Sequence, residues 1–375
     1  MEAVRRVGAL TRAEIARETA LTGQTISNLV RDLEAGGLLR AEDPRRGARG
    51  QPSVPYRINP EGGWSLGFHL DHRSIRGALV DLTGEPVAVA NRDTLQPSPD
   101  DAVAILPGLA RDLIASARVL PDRGLGVGLA LPVRFGLGPI TTAGPTTLPG
   151  WDDPTAVARI SKALALPVLV ENDGTAAAIR ERMAGVAHQI DSFVFLFVDD
   201  GLGAGMFLGG QPWRGASRNA GEIGHMIIEP NGLPCPCGNR GCLERYVSLR
   251  AAYEAVLDDP DSGSPERLEA LVGRGDPRLR AWAVAAGRFL ARAVNVIEST
   301  LDPETIVIGG PTPPGLVDWL IKAVEPLPVS VGSRSNRANP RLMPGGTGAN
   351  LAALGAASLP VFDEINPRFE LLFKR

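Results

Sequence analysis

Residues 220–225 read AGEIGH and residues 235–244 read CPCGNRGCLE, and together they form the most informative stretch of the sequence. The three cysteines of the chain, Cys235, Cys237 and Cys242, all lie in it. An odd number of cysteines so close together cannot form a disulfide framework. The cluster instead indicates a metal site in a protein of a reducing compartment.

Length and composition bound the class of protein. The 375 residues are enough for two or three domains of ~150 residues each. A content of 44% hydrophobic and 22% charged residues is typical of a globular protein, and no apolar run approaches the ~18 residues of a membrane span. The N-terminus is charged and has no apolar signal region, so we expect a cytoplasmic protein that does not interact with a membrane.

Charge is distributed unevenly along the chain. The net charge is -3, yet residues 1–60 hold ten arginines against seven acidic residues. The remaining residues hold 29 basic against 35 acidic side chains. A basic end on an acidic body indicates a small nucleic-acid-binding module attached to a larger unit.

Two consecutive helix starts lie in the first forty residues. Thr11 and Glu14 form a capping box, which predicts a helix from Arg12, and Thr22 caps a second helix that runs to Gly36. A short first helix is expected upstream of them. The second helix carries an apolar stripe of Ile26, Leu29, Val30 and Leu33. Its opposite face holds polar side chains that can pair with bases or phosphates, and the candidate DNA contacts there are Gln24, Thr25, Ser27, Asn28 and Arg31.

An arginine-rich segment follows the second helix. It contains Arg45, Arg46 and Arg49, is punctuated by glycines, and ends in a strand-like run at 54–58. This pattern predicts the β-wing of a winged helix, whose arginines would contact phosphates or the minor groove of double-stranded DNA. The alternative is an ordinary helical hairpin with a solvated polar face.

From residue 64 the pattern becomes that of an α/β protein in which a strand, tight loop and strand unit occurs twice. This duplication predicts a two-lobed body of the actin-like ATPase (ribonuclease H-like) type, with a ligand between the lobes. We expect the module at 1–60, lobe 1 at 64–171 and lobe 2 at 172–375, with the C-terminal helix packing back on lobe 1. Helices are predicted at 101–117, 155–164, 172–183, 281–300 and 349–359, and buried strands at 125–129, 168–170 and 305–308.

The residues of the opening stretch, AGEIGH at 220–225 and CPCGNRGCLE at 235–244, resemble the signature of the ROK family, which comprises repressors, open reading frames and sugar kinases. The resemblance covers the chain from the helix-turn-helix to the strand and turn at 306–310. The combination of a winged helix with a ROK body is similar to the repressor branch of the family. It implies a sugar-responsive regulator of carbohydrate genes.

The resemblance also implies that ATP is not bound. The first phosphate loop of ROK kinases falls on His69, Asp71, His72 and Arg73, and none of the kinase residues is retained. In the second loop the leading glycine and the threonine are replaced by Asp199 and Asp200. Three carboxylates where a triphosphate would lie repel it, so we expect no kinase activity. The alternative is a sugar kinase with an accessory DNA-binding module.

The sugar side of the family site is better retained. The resemblance implies sugar contacts by Asn172, Asp173, Glu222, His225 and Glu244, where Asp173 corresponds to the general base of the kinases. The family asparagine before Leu-Pro-Gly-Trp is Thr147 here, so one contact is altered. Two alternatives remain open. Asn172 and Asp173 could only cap a helix, or the pocket could respond to a phosphosugar or a protein partner.

In the same stretch His225 joins the three cysteines as a Cys3His donor set, which suits one structural zinc ion per chain. His225 could place one ring nitrogen on zinc and the other toward the sugar. The alternative is three reduced structural cysteines. The expected assembly is a homodimer, or a tetramer, that reads a palindromic operator through two winged helices.

Overall fold

The computed structural model describes residues 1–45, 52–134, 141–142, 148–332 and 336–366. It consists of an N-terminal module and two α/β lobes. None of the helices in these ranges has the length and apolar character needed to cross a membrane. Arg46, Arg49 and Thr147, which were singled out in the sequence, lie outside the described residues.

The N-terminal module is a winged helix-turn-helix. Thr11 accepts a hydrogen bond from the Glu14 amide and Glu14 accepts one from the Thr11 amide, which confirms the predicted capping box. The side chain of Thr22 caps the next helix. The expected short first helix is also present. The elements are helices α1 (Glu2–Val7), α2 (Arg12–Thr19) and α3 (Gly23–Ala35), and a sheet of order β1-β3-β2 built from β1 (Leu10–Thr11), β2 (Leu39–Ala41) and β3 (Pro55–Ile58).

One part of the predicted apolar stripe of α3 is wrong. Ile26 and Val30 are buried and Leu33 is partly buried, but Leu29 is 45% exposed. Leu29 lies at the edge of the stripe, about 60° around the helix from Ile26. The small module covers only a narrow face of α3, so a side chain at that edge remains in solvent.

Lobe 1 is built on a five-stranded mixed sheet. The strand order is β10-β7-β4-β5-β6, in which β4, β7 and β10 are parallel and β5 and β6 continue antiparallel. A small hairpin and two helices complete the lobe. The elements are β4 (Trp64–Leu70), β5 (Ser74–Asp81), β6 (Pro86–Asp93), β7 (Gly124–Leu131), the hairpin of β8 (Val133–Arg134) and β9 (Thr141–Thr142), β10 (Val168–Asn172), α4 (Pro99–Ala117) and α5 (Ala156–Leu164).

Lobe 2 repeats this arrangement. Its sheet has the order β13-β12-β11-β14-β15. Strands β11, β14 and β15 are parallel, β12 pairs antiparallel with β11, and β13 pairs antiparallel with β12. The matching order and directions confirm the predicted two-lobed body. The elements are α6 (Asp173–Ala184), β11 (Phe193–Val198), β12 (Leu202–Leu208), β13 (Gln211–Pro212), α7 (Leu249–Val256), α8 (Pro265–Gly273), α9 (Pro277–Leu301), β14 (Thr305–Gly310), α10 (Pro314–Ala323) and β15 (Leu342–Thr347).

The last helix, α11 (Leu351–Ile365), packs on the sheet of lobe 1 and against α6. The approach to the sheet is close, because a Cβ atom at Gly67 or Gly128 would collide with the backbone of Ala357 or Ala356. The predicted end at residue 359 is wrong, since α11 continues past Pro360. The apolar side chains of Phe362 and Ile365 are buried there and offset the missing hydrogen bond of the proline. The ends of the other predicted elements shift by at most four residues.

Candidate functional site

A cleft between the lobes is the main concave feature near the predicted site residues. It is open to solvent, and its volume together with the solvent space at its mouth is about 840 Å3. Residues from β4, α6, β11, β12 and the 222–244 segment line it. The cleft brings together all five side chains proposed to contact a sugar, which are Asn172, Asp173, Glu222, His225 and Glu244.

The junction of β10 and α6 places two of these residues. The Asn172 side-chain oxygen accepts a hydrogen bond from the Thr175 amide at 2.7 Å and caps α6, as the capping alternative expects. The side-chain amide nitrogen of Asn172 is not used by the cap. Asp173 is the first residue of α6, and its Oδ1 lies 3.4 Å from Nε2 of His69. The cap therefore fixes the start of α6, and with it the position of Asp173.

His69 is a pocket residue that the sequence does not reveal, because its position belongs to the degenerate phosphate loop. It lies near the end of β4, is 4% exposed, and lines the cleft. Burial alone would lower the pKa of His69, but the negative charges of Asp173, Asp71 and Asp199 raise it to about 9. A pKa raised in this direction favours the imidazolium form of the ring at neutral pH. The signal in the sequence is a histidine inside the largely apolar run WSLGFHL at 64–70.

The other three candidate sugar contacts lie on two short 3-10 helices of the cysteine-rich segment. Glu222 precedes the turn Ile223–His225, and Glu244 lies in the turn Leu243–Arg245. One Glu244 oxygen accepts a hydrogen bond from the Leu202 amide at 3.1 Å. Nε2 of His225 lies 3.7 Å from a Glu222 oxygen. Carboxylates and an imidazole converge on one side of the cleft, and such groups bind hydroxyls through charge-assisted hydrogen bonds.

The predicted metal ligands form a compact cluster. One donor atom from each of His225, Cys235, Cys237 and Cys242 lies within 4.8 Å of all the others. Nδ1 of His225 is 3.6 Å from Sγ of Cys235, and the Cys237 and Cys242 sulfurs are 3.6 Å apart. Zinc–sulfur bonds of about 2.3 Å in a tetrahedron require sulfur–sulfur distances of about 3.8 Å. The donor set therefore fits a tetrahedral metal ion, and the same imidazole faces Glu222 with its other nitrogen.

The loop that would bind phosphate in a kinase is closed on itself. Asp71 accepts hydrogen bonds from the amides of Arg73 at 2.6 Å and Ser74 at 2.8 Å, and from the Ser74 hydroxyl at 2.9 Å. These amides are the groups that a phosphate-binding loop would present to its ligand. The Asp71 carboxylate occupies them.

The same loop joins the two lobes. Nε2 of His72 lies 3.2 Å from a carboxylate oxygen of Asp200 in lobe 2. The Arg73 guanidinium donates hydrogen bonds to the carbonyl oxygens of Gly263 at 2.7 Å and Asp261 at 3.1 Å. The cleft is thus bridged by side chains where a nucleotide would bridge it in a kinase.

Asp199 lies next to this bridge, is partly buried and lines the cleft. Burial and the neighbouring charge of Asp200 raise the pKa of Asp199 to about 7, although the charge of His69 acts in the opposite direction. A carboxyl group of this kind titrates near neutral pH.

The candidate DNA contacts lie on one face of α3. Gln24, Thr25, Asn28 and Arg31 are exposed, and both Gln24 and Arg31 donate hydrogen bonds to the Asn28 side-chain oxygen, at 3.4 and 3.1 Å. Ser27 is half-buried, and its hydroxyl donates to the Gly23 carbonyl. Beyond α3, Arg45 is exposed and forms a loose ion pair with Glu42 at 3.8 Å.

The module is fastened to lobe 2 through α1. The Arg5 guanidinium donates hydrogen bonds to the carbonyl oxygens of Arg182 at 2.7 Å and Met183 at 3.2 Å, at the end of α6. Glu2 pairs with both Arg5 and Arg182, and Arg182 also pairs with Asp191 at 3.1 Å. The Arg5 and Arg182 side chains are at most 4% exposed. This network is the α1 anchor.

A second contact fastens the module to lobe 1. Arg123 donates a hydrogen bond to the Gly36 carbonyl at 2.7 Å. Within the module, the Asn59 side chain donates a hydrogen bond to the adjacent Gly37 carbonyl at 2.8 Å. Arg123 directly precedes β7, and Gly36 directly follows α3. We call the contact between Arg123 and Gly36 the α3 anchor. The module is therefore held at two points that belong to different lobes.

Comparisons with known proteins agree with this architecture. A family model described as ROK family matches residues 66–361, and one described as MarR family matches residues 1–50. The xylose repressor of Bacillus subtilis is 26% identical over 94% of this chain and 91% of its own length. The crystal structure of a ROK family transcriptional regulator, a homologue of the Escherichia coli MLC protein, has a TM-score of 0.70 at 26% identity and covers 94% of this chain and 91% of that one.

A kinase structure is also similar. The ROK hexokinase from Thermus thermophilus has a TM-score of 0.63 at 27% identity and covers 80% of this chain and 99% of its own. The matched range of the ROK family model runs from β4 to α11 and includes both sheets, the cleft and the cysteine cluster. The chain therefore belongs to the ROK family and carries a MarR-type winged helix-turn-helix at its N-terminus.

Proposed function

We propose that this chain is a sugar-responsive DNA-binding transcriptional regulator that represses genes of carbohydrate metabolism. The observation that carries the proposal is the physical link between a polar cleft and a winged helix. Helix α6 begins at Asp173 in the cleft and ends where Arg5 of the module is bound. The repressor and regulator among the similar proteins support the same assignment.

The cleft suits a sugar because its polar groups match hydroxyls. Asp173, Glu222 and Glu244 supply carboxylate oxygens, and His225 and Asn172 supply ring and amide groups. A phosphate group would face Asp71, Asp199 and Asp200 on the other side of the cleft. We therefore propose a free sugar rather than a phosphosugar as the effector. A thermal-shift panel of free and phosphorylated sugars separates the two cases.

A single zinc ion held by His225, Cys235, Cys237 and Cys242 completes the site in this proposal. Four protein ligands leave no position for water, so the ion has a structural role. The ion would fix the tautomer and orientation of His225 through Nδ1, which leaves Nε2 beside Glu222 for the sugar.

The proposal includes the absence of kinase activity. The amides of the first phosphate loop are occupied by Asp71, and the lobes are bridged by His72 and Arg73. A coupled ADP assay with D-glucose, D-xylose and N-acetyl-D-glucosamine should show no turnover. Sustained ADP release that requires both sugar and ATP would favour the rival function, a sugar kinase with an accessory DNA-binding module.

Signal transmission follows from the two anchors. If sugar binding changes the angle between the lobes, the α1 anchor and the α3 anchor move relative to each other, and the module must turn or shift. In a homodimer this changes the spacing of two recognition helices on a palindromic operator. DNA affinity changes only as far as the sugar distinguishes the two lobe arrangements.

The test begins with the operator. Genomic fragments selected by the protein provide a DNA probe, and fluorescence anisotropy then measures DNA release by each sugar. Asp173→Ala should abolish the response to every sugar and leave DNA affinity intact. Asp112→Ala, which removes an exposed carboxylate of α4, serves as the matched control. An unchanged response in Asp173→Ala contradicts the proposal.

A further inference from the structure

The histidine in the wall of the cleft is the least satisfied polar side chain near the site. Within the described ranges, neither ring nitrogen of His69 has a hydrogen-bond partner, and Oδ1 of Asp173 lacks one as well. These two orphan groups face each other, with Nε2 of His69 3.4 Å from Oδ1 of Asp173. The side chains are 5% and 16% exposed, so water gives little compensation.

The other acidic groups around His69 already have donors of their own. Asp71, on the loop after β4, accepts from the Arg73 and Ser74 amides, and Asp199, at the end of β11, accepts from the Asp200 amide at 2.8 Å. Asp173 on α6 is the remaining carboxylate beside the ring. The His69 ring therefore supplies the donor that the Asp173 carboxylate lacks, and the carboxylate supplies the acceptor that the ring lacks.

We propose that His69 is a positioning residue of the sugar site, which holds Asp173 as an oriented carboxylate with Oδ1 toward the imidazolium and Oδ2 toward the ligand. This inference rests on the proposed sugar-binding function of the cleft. The contact between His69 and Oδ1 of Asp173 restrains the orientation of the carboxylate, so that its second oxygen is already directed into the cleft. A carboxylate oriented in this way can accept charge-assisted hydrogen bonds from sugar hydroxyls.

The first experiment tests the ion pair without any sugar. The chain has four histidines, so their ring signals can be followed by NMR in the full-length protein and assigned with His69→Gln. The His69 ring should remain protonated at pH 8, because its pKa is about 9. In Asp173→Asn the ring should lose its proton at a lower pH. A neutral His69 ring at pH 7 in the wild type, or no change in Asp173→Asn, overturns the proposal.

The second experiment tests the consequence for binding. D-Xylose and D-glucose are titrated by calorimetry into wild type, His69→Gln and the control His188→Gln, which changes an exposed histidine outside the cleft. Loss of a charge-assisted contact should weaken binding by about tenfold or more in His69→Gln and leave the control unchanged. Wild-type affinity should also fall above about pH 9, a dependence that His69→Gln should lack.

The outcomes separate the two proposals. If His69→Gln binds sugar as tightly as the wild type, the positioning role is wrong even though the sugar function stands. If neither sugar binds the wild type but the NMR results hold, the proposed sugar response fails for these probes while the ion pair is established. If His69→Gln unfolds, the Asp173→Asn titration and the wild-type pH profile still decide.

Discussion

The Arg5 guanidinium donates a hydrogen bond of 2.7 Å to the carbonyl oxygen of Arg182, which joins the DNA-binding module to the far end of α6. The near end of α6 carries Asp173 in the cleft. One buried helix therefore connects the candidate sugar site with the winged helix. A short, rigid element of this kind can transmit a displacement because packed cores are not continuously deformable.

Arg5→Ala should uncouple the module from the cleft. Its guanidinium carries the contacts to the Arg182 and Met183 carbonyls, so we expect normal DNA affinity with a reduced response to sugar. The charged hydrogen bonds also contribute to stability, and their loss should lower the free energy of unfolding by about 2 kcal/mol. Fluorescence anisotropy measures the first effect and urea denaturation the second. Arg111→Ala, an exposed arginine of α4, is the control. A full sugar response in Arg5→Ala would exclude the α1 anchor as the route.

Cys237→Ser should remove the metal and destabilise its loop. A serine hydroxyl is a poor zinc ligand at neutral pH, and folding of residues 231–244 is expected to depend on the ion. Metal analysis should find about one zinc per wild-type chain and much less in the variant, together with a lower melting temperature. Arg240→Ala, in the same loop and exposed, should retain the metal. Zinc-free wild-type protein of unchanged stability would disprove the site.

Substitutions on α3 should separate base recognition from phosphate contacts. Asn28→Ala should cost about 1–3 kcal/mol of operator binding and relax the sequence preference. Arg31→Ala should weaken binding to all sequences. It should also reduce the slope of log affinity against log salt concentration by about one. Salt titrations with operator and scrambled DNA measure both effects. Glu34→Gln at the other end of α3 provides the comparison. Equal losses on both DNAs for Asn28→Ala would contradict its role in base recognition.

Asp199→Asn should stabilise the protein at alkaline pH. The folded-state pKa of Asp199 is raised from 3.8 to about 7 by burial and by Asp200, so the folded state holds a proton that the unfolded state has released. Its contribution is fully present below about pH 4 and is lost as the pH rises through about 7. At pH 8 the neutral asparagine should therefore be more stable, on the order of 2 kcal/mol. Melting temperatures of the wild type and Asp199→Asn, measured from pH 5 to 8, should converge at the acidic end. The difference between the wild type and the control Asp112→Asn should not change with pH.

The cysteine-rich stretch was predictable because its chemistry is local. Cys235, Cys237, Cys242 and His225 lie within eighteen residues, so their side chains can meet through short loops alone. The duplicated strands were equally visible, because buried parallel strands are continuous apolar runs. Both features depend on residues that are neighbours in sequence.

The role of His69 depends on residues that are distant in sequence. His69 meets Asp173 only after β4 and α6 are brought together by the fold, and no spacing rule links positions 69 and 173. The same applies to Arg5 and Arg182, which are 177 residues apart. Leu29 was misassigned for a related reason, since only the packing of the module shows how much of α3 is covered.

The double attachment of the winged helix limits how this protein can be re-engineered. A graft of residues 1–60 from another family member would meet Arg182, Gln189 and Asp191 at one seam and Arg123 at the other, and all four contact the present module. A chimera that does not preserve these contacts is expected to bind its new operator but to lose the release of DNA by sugar. Altering the exposed face of α3 alone leaves both seams intact, so it is the conservative way to redirect this regulator to a new promoter.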